Sequence, residues 1–290
     1  MALNIHALTF GHLSMDASGL VLFRNPGTKV TIPFVGYLIT GGEEPVLVDT
    51  GSRASIDWAA FGMDYQSGPE MTVTAQLARF GLRPSDVRHV LHTHAHLDHS
   101  GQDDLFPMST TVGITRAEME FTASGIMGPG MYTAADTKHL IDRLHTPGAM
   151  RLFDVDGTFE EEVIPGVAVR LSGGHTPGSL SVLVETDNGL ANIAGDIAYH
   201  IGDQLVEPIL DLQAHEPTIS GNRAMRSVEE KRAIKKALSD SRFLIVGHDA
   251  PALIERGKVL ARHQEAFEPN TRGLVNAADY TPVAGKLAAA

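Results

Sequence analysis

A short run of metal-binding residue types, His92-Thr-His94-Ala-His96-Leu-Asp98-His99, constrains this chain more than any other feature. Zinc binds imidazole nitrogen at about 2.0–2.1 Å and carboxylate oxygen at a similar distance, and a tight turn can direct alternate side chains at one point. His94 and His96 can therefore chelate one ion, while Asp98 and His99 point differently and can reach a second ion beside it. The run predicts a metal site.

The absence of cysteine narrows the chemistry of that site. The 290 residues include no Cys, which excludes disulfides and every thiolate metal site. Any metal must be held by imidazole and carboxylate. Such donors favour zinc, with iron, manganese or cobalt as alternatives for the same cage.

Three more candidate ligands lie farther along the chain, each just past an apolar run. His175 follows Gly173-Gly174 and precedes Thr-Pro-Gly, Asp196 follows Asn192-Ile-Ala-Gly, and His248 follows Val246-Gly. A lone histidine is more often an ordinary surface or core residue than a ligand. The three become strong candidates together, in this order behind the first run, and the two oxygens of Asp196 can bridge two cations.

Hydrophobic patterning predicts β-rich and helical segments that alternate along the chain. The predicted strands cover 34–40, 45–49, 87–91, 163–171, 180–186, 190–194 and 243–246, and the predicted helices cover 72–80, 115–122 and 228–238. This order predicts an α/β (α+β) fold with two mixed sheets packed face to face and helices on the outer faces. Residues 1–290 are expected to form one domain with a C-terminal tail at 265–290.

Composition argues against nucleic acid and membrane as partners. The formal net charge is −12 at pH 7, and no cluster of Lys or Arg offers the positive patch that phosphate backbones require. No stretch approaches the roughly 20 apolar residues of a membrane span, and the N-terminus does not resemble a signal peptide. We expect a cytoplasmic protein with a small-molecule substrate, and the sequence leaves open whether it forms a homodimer.

The segment 124–150 is rich in Gly, Pro and Met and is interpreted as a substrate-loop insertion. Met127, Met131 and Tyr132, together with Phe61 of the loop 58–63, can line an apolar acyl groove, because Met adapts to varied shapes. The alternative, that these residues only pack the loop onto the sheet, is equally open.

The complete series of candidate ligands resembles the metal-binding series of the metallo-β-lactamase superfamily. The series is His94, His96, Asp98, His99, His175, Asp196 and His248, and the likeness extends from Phe34-Val-Gly-Tyr-Leu-Ile to Gly247-His248-Asp249. It implies an αββα sandwich with the metals at one edge, between the sheets.

The same resemblance implies a role for each ligand. One metal would be held by His94, His96 and His175. The other would be held by Asp98, His99 and His248, with Asp196 bridging the two. Asp49 would orient the ligand loop through hydrogen bonds.

Within the superfamily, the segment Asp196-Ile-Ala-Tyr199 is similar to the N-acyl-homoserine lactonases, in which a tyrosine at this spacing contacts the lactone carbonyl. The opening Val35-Gly36-Tyr37-Leu-Ile and Asp49-Thr-Gly look like that group as well. The resemblance implies quorum quenching by lactone hydrolysis, with attack by a hydroxide that two metals share. Tyr199 would stabilise the oxyanion and Asp98 would carry the proton. Alternatively, Tyr199 only packs beside His200.

Several related activities compete with this interpretation. True β-lactamases of the superfamily generally lack a bridging aspartate such as Asp196, and many use a cysteine ligand. A glyoxalase-II-like thioesterase would want a basic glutathione-binding set, which we do not identify, and a nuclease conflicts with the −12 charge. A flavin-linked di-iron scaffold would need a further domain. A hydrolase of another lactone or ester is the closest competitor.

Overall fold

Seven strands rich in apolar and β-branched residues form the first sheet of the computed structural model, which describes residues 2–124, 131–208, 216–221, 225–268 and 271–283. They are β1 (Asn4–Asp16), β2 (Lys29–Thr40), β3 (Val46–Val48), β4 (Asp64–Gln66), β5 (His89–Leu91), β6 (Thr111–Thr115) and β7 (Met150–Phe153). They pair in the order β4-β1-β2-β3-β5-β6-β7. The steps from β3 through β5 and β6 to β7 are parallel, so the sheet is mixed.

Eight strands form the second sheet. They are β8 (Glu161–Ile164), β9 (Val167–Leu171), β10 (Leu180–Thr186), β11 (Gly189–Ile193), β12 (Phe243–Ile245), β13 (Ala252–Glu255), β14 (Lys258–His263) and β15 (Tyr280–Pro282). They pair in the order β15-β14-β13-β12-β11-β10-β9-β8, and β11 runs parallel to β12.

Side-chain alternation along the strands gives each sheet two apolar faces, so that the sheets and helices pack as four layers. On β2, Val35, Tyr37 and Ile39 point into the cluster between the sheets, whereas Phe34 and Leu38 join the cluster on the outer face. The helices are α1 (Ala17–Leu20), α2 (Val73–Ala78), α3 (Arg116–Ser124), α4 (Ala134–Leu144) and α5 (Ser227–Asp240). Residues of α2, α3 and α4 pack on the first sheet, and residues of α5 pack on the second. The predicted αββα sandwich is confirmed.

Among the described residues, no helix is both long enough and apolar enough to cross a bilayer.

The predicted strand at 163–171 is wrong, because it is two strands. Pro165 and Gly166 form the turn between β8 and β9, with Ile164 paired to Val167. Gly166 adopts φ +82°, a left-handed conformation that a residue without Cβ reaches readily. Proline fixes its own φ and lacks an N–H, so the pair ends one strand and reverses the chain.

The segment 124–150 contains a helix, α4, that the sequence pattern did not predict. Thr133 caps its first turn, with the Asp136 amide donating to Thr133 Oγ1 at 3.0 Å. The surrounding Gly and Pro residues hid an eleven-residue helix. Strand β1, which is long and mostly buried, was not predicted either. Residues 280–282 of the expected tail form β15, and Met127 and residues 288–290 lie outside the described residues.

Topology brings the ends of several strands to one edge of the sandwich. Strands β3 and β5 are parallel, so they end together. Strands β9 and β11 both run antiparallel to β10, and β12 is parallel to β11, so these three also end together. The Tyr37 hydroxyl donates to the carbonyl of Val246 at 2.6 Å and links the two sheets near this edge.

Helix α4 is anchored by one buried guanidinium. Arg143 is fully buried and donates to the carbonyl oxygens of Thr110, Asp103 and Phe106 at 3.0, 3.1 and 2.9 Å. These carbonyls belong to the connection between β5 and β6. Arg143 therefore holds the segment that follows β5 against the helix.

We predict that Arg143→Met lowers the free energy of unfolding by about 3 kcal/mol, because the buried carbonyls of Thr110 and Phe106 lose their donor. The Asp103 carbonyl keeps the N–H of Phe106 as a donor. Arg116→Met is the matched control, since that side chain is 50% exposed and pairs with Asp154; it should cost less than about 1 kcal/mol. Urea unfolding followed by circular dichroism measures both. Equal, small losses would contradict the anchoring role.

Candidate metal centre

Three buried imidazoles converge at the edge where the strands end. His94 and His96 follow β5 and His175 follows β9, so the two sheets contribute to one cluster. His94 Nε2 lies 3.0 Å from His96 Nδ1, which lies 3.1 Å from His175 Nε2. Nitrogens at 2.0–2.1 Å from one tetrahedral ion are roughly 3.3 Å apart. This first ligand group therefore fits a single metal ion.

A second ligand group lies beside the first and contains Asp98, His99 and His248. Asp98 Oδ2 is 3.5 Å from His248 Nε2 and 3.7 Å from His99 Nε2. Two nitrogens and a carboxylate oxygen at these separations also form a donor set that divalent transition metals accept.

Asp196 lies between the two ligand groups. Its Oδ2 is 3.7 Å and 3.9 Å from the Nε2 atoms of His175 and His94, and 3.4 Å and 3.2 Å from those of His99 and His248. Its Oδ1 is buried and has no hydrogen-bond partner among the described residues. A carboxylate with one oxygen near both groups and the other unpaired is suited to bridge two cations.

Asp49 orients ligands of both groups. Its carboxylate accepts from the Thr93 amide and hydroxyl, each at 2.8 Å, and from His99 Nδ1 at 2.9 Å. Because the Thr93 hydroxyl donates to Asp49, its oxygen is left to accept from His94 Nδ1, 3.1 Å away. His99 and His94 thus turn their Nε2 atoms toward the shared space. Asp49 itself has φ +61°, an unusual conformation for a non-glycine residue.

His248 is oriented by the opposite sheet. Its Nδ1 lies 2.9 Å from the carbonyl oxygen of Pro33 in β2, which can only accept, so that nitrogen carries the proton. The Nε2 atom therefore faces Asp98 and Asp196. The edge of the first sheet fixes a ligand carried by the second.

Burial sets the charge of the first group. It lowers the pKa of His94 and His96 well below their ordinary value, and it lowers the pKa of His175 to about 4. All three imidazoles are therefore neutral at pH 7, which is the form that coordinates a metal.

The second group and the bridging carboxylate carry charge. Burial opposes ionisation of Asp196, but His248 and His99 hold the pKa of its carboxyl well below the usual range. Burial likewise opposes protonation of His99, yet Asp196, Asp98 and Asp49 raise its pKa well above the ordinary value. Burial raises the pKa of Asp98. The negative charge of Asp196 and the positive charge of His99 thus compensate each other in a buried space. A bound divalent ion would neutralise the carboxylate charge instead.

An apolar cavity of about 270 Å³ opens onto the second group. It is lined by Leu13, Met15, Gly19, Leu20, Ile32, Trp58, Phe61, Met63, Asp98, Met131, Tyr199, Gly221 and His248. The ring of Tyr199 lies nearly parallel to that of His248, with centroids 5.5 Å apart, and edge-on to His175 at 5.6 Å. The cavity reaches the ligand cluster at Asp98 and His248, and Tyr199 lines it beside them.

Residues 35–248 match the family model described as the metallo-beta-lactamase superfamily. The chain belongs to this superfamily. An N-acyl homoserine lactonase of Bacillus cereus is 30% identical over 199 residues, which cover 65% of this chain and 73% of the relative. Another N-acyl homoserine lactonase, from a Bacillus species, is 25% identical over 248 residues, which cover 82% and 90%.

Solved structures show the same fold for this superfamily member. A Bacillus thuringiensis AiiA mutant with N-decanoyl-L-homoserine bound at its active site matches with a TM-score of 0.67 at 21% identity. The match covers 86% of this chain and 94% of that one. The chain therefore has the fold of a metal-dependent hydrolase, and its His/Asp cluster is suited to divalent metal ions.

The structure brings together all seven ligands proposed from the sequence and places Tyr199 beside them. Phe61 and Met131 line the cavity as expected, but Tyr132 does not; its hydroxyl donates to Glu118 instead. Glu118 was not predicted as a site residue. Thr115 caps α3 by accepting from the Glu118 amide at 3.1 Å, and the glutamate side chain turns inward. An acidic residue in the first turn of a helix gives no signal of that direction in the sequence.

We predict that Gly247→Ala greatly weakens metal binding in this superfamily member. A Cβ at this position would collide with Asp196 Oδ1 and come within 3.2 Å of His99 Cε1. Displacing the bridging carboxylate should lower metal affinity by about 10-fold to 100-fold. Gly157→Ala is the control, because nothing lies within 4 Å of its Cβ position. Chelator competition measures the affinities; identical values for both variants would refute the placement of Asp196.

Proposed function

We propose that this chain is a dinuclear-metal lactonase that hydrolyses the ring ester of N-acyl-homoserine lactones. The observation that carries the proposal is the pair of ligand groups joined by Asp196 at the end of an apolar cavity. Relatives named N-acyl homoserine lactonase support the substrate class. We propose zinc as the metal, with iron, manganese or cobalt as alternatives.

The ligand roles follow from the two groups. His94, His96 and His175 would hold one ion, Asp98, His99 and His248 the other, and Asp196 both. When bound, two divalent ions lower the pKa of water toward neutrality and polarise an ester carbonyl.

In this proposal Asp98 handles the proton. Its carboxylate belongs to the second group, lines the cavity and has 13% of its side chain exposed, so it faces both the metal side and the substrate side. A carboxylate in this position can take the proton of the attacking water and pass it to the oxygen of the broken ester bond.

In this proposal Tyr199 binds the substrate carbonyl. Its ring is held between His175 and His248, and its backbone N–H donates to Gln204 Oε1 at 2.7 Å, which fixes the start of the side chain. A phenol hydroxyl in the cavity wall can donate to the carbonyl oxygen as negative charge develops there.

The cavity suits the acyl chain of the substrate. Trp58, Phe61, Met63 and Met131 line it together with Met15, and none of these side chains carries a charge. Each buried methylene contributes at most about 0.8 kcal/mol. Longer acyl chains should therefore bind more tightly until the cavity is filled. The N-decanoyl group bound by the AiiA structure is of this apolar kind.

We predict that the purified protein opens N-acyl-homoserine lactones, that a chelator abolishes the activity and that added zinc restores it. Ring opening is followed by proton release over a panel that contains butanoyl, hexanoyl and decanoyl homoserine lactones, simple lactones and a glutathione thioester. The decanoyl substrate should have a lower KM than the butanoyl one. If only an unrelated lactone, ester or thioester is hydrolysed, the substrate assignment is wrong and the metal hydrolase assignment stands.

We also predict that Tyr199→Phe lowers kcat by about 10-fold to 1000-fold without loss of metal, because a donor to the developing oxyanion is removed while the ring remains. Tyr65→Phe is the control, because it removes a hydroxyl that donates to the Phe10 carbonyl within the first sheet. Its kcat should stay at the wild-type value. Steady-state kinetics and elemental analysis decide. Unchanged turnover would exclude Tyr199 from the mechanism. A cytoplasmic location stays a prediction, and whether the chain forms a homodimer stays open.

A further inference from the structure

We infer that Glu118 is a positioning residue that sets the metal affinity of the first ligand group, His94, His96 and His175. The inference rests on the proposed metal centre. Glu118 lies in the first turn of α3, its side chain is completely buried, and its carboxylate accepts hydrogen bonds from Ala95, Tyr132 and Thr176.

The first donor lies within the ligand loop. The amide N–H of Ala95 donates to Glu118 Oε1 at 3.0 Å. Ala95 stands between His94 and His96, so this bond fixes the peptide group that joins His94 to Ala95, within the segment that separates the two ligands. Because their side chains leave the backbone on either side of it, a rotation of this peptide would move both imidazoles.

The second donor belongs to the loop that carries the third ligand. The Thr176 hydroxyl donates to Glu118 Oε2 at 2.6 Å, and Thr176 directly follows His175. The loop packs tightly there, since a Cβ on Gly178 would collide with the backbone of Glu118. The Thr115 hydroxyl also donates to the Gly178 carbonyl at 2.6 Å. Glu118 thus joins a ligand loop of the first sheet to one of the second.

The third donor controls the ring of His96. The Tyr132 hydroxyl donates to Glu118 Oε1 at 3.0 Å, and the Tyr132 ring packs edge-on against His96 with centroids 4.9 Å apart. Each member of the first group therefore has a neighbour bonded to one carboxylate. Asp49, by contrast, contacts His99 directly and reaches the first group only through Thr93.

Burying this carboxylate has an energetic cost. Burial raises the pKa of Glu118, and its hydrogen-bond donors only partly offset that effect. A well-packed apolar cluster is often as stable as a buried charge network or more so. Packing alone therefore does not require a carboxylate at this position. Its role in aligning the three ligands accounts for its presence.

The test uses the isosteric variant Glu118→Gln in the full chain. One oxygen of the carboxylate becomes an NH₂ group that cannot accept, so at least one of the three bonds is lost at almost unchanged volume. Chelator competition on the protein loaded with two ions should show one site weakened by about 10-fold to 100-fold and the other unchanged. In cobalt(II)-loaded protein, the shifted ring N–H signals of His94 and His99 identify the weakened group.

Glu230→Gln is the matched control. Glu230 is also a buried helix glutamate that accepts a backbone N–H, from Ser220 at 2.5 Å, but it lies on α5. It should retain both ions with wild-type affinity. Equal weakening in the two variants would mean that loss of any buried helix glutamate loosens the site, and the inference would fail.

Two variants of Thr176 distinguish positioning of the ligands from general damage to the fold if Glu118→Gln does not fold. Thr176→Ser keeps the donated hydroxyl and should bind both ions like wild type, whereas Thr176→Val should reproduce the weakening of one site. Equal affinities in Ser and Val variants, or weakening of both sites together, overturn the inference. A wild-type chain that binds no metal refutes the proposed function as well, whereas two normal ions in every variant refute only the role of Glu118.

Discussion

The structure depends on one carboxylate, Asp196, whose Oδ2 lies within 3.9 Å of four imidazole nitrogens in a nearly dry space. Removing a carboxylate from water is costly unless opposite charge and hydrogen bonds surround it. The nearby imidazoles supply part of that compensation, and two divalent ions would supply more. The strands that end at this edge carry the residues that provide this compensation.

The two sheets meet this requirement jointly. The ligand loop after β5 comes from the first sheet, whereas His175, Asp196 and His248 come from the second. Cross-sheet bonds such as Tyr37 to Val246 keep the two halves in register at the site. Two carboxylates then divide the support, Asp49 beside His99 and Glu118 beside the first group.

The sequence predicted those parts of the site that depend on local order. The run from His94 to His99 is a contiguous signal. The remaining ligands were found because each follows a predicted strand and a Gly, and parallel strands end at the same edge of a sheet. Glu118 could not be found this way, since its partners at Ala95, Tyr132 and Thr176 are remote in sequence. Two local features were missed for other reasons. Helix α4 was obscured by the Gly and Pro residues around it, and the turn at Pro165-Gly166 was read as part of one strand although this dipeptide is itself a turn signal.

The most direct test is X-ray diffraction at the zinc absorption edge from crystals grown with zinc. The proposed dinuclear centre predicts two anomalous peaks, one contacted by His94, His96 and His175 and the other by Asp98, His99 and His248, with Asp196 touching both. Absence of both peaks, or zinc bound only at residues outside this cluster, would contradict it.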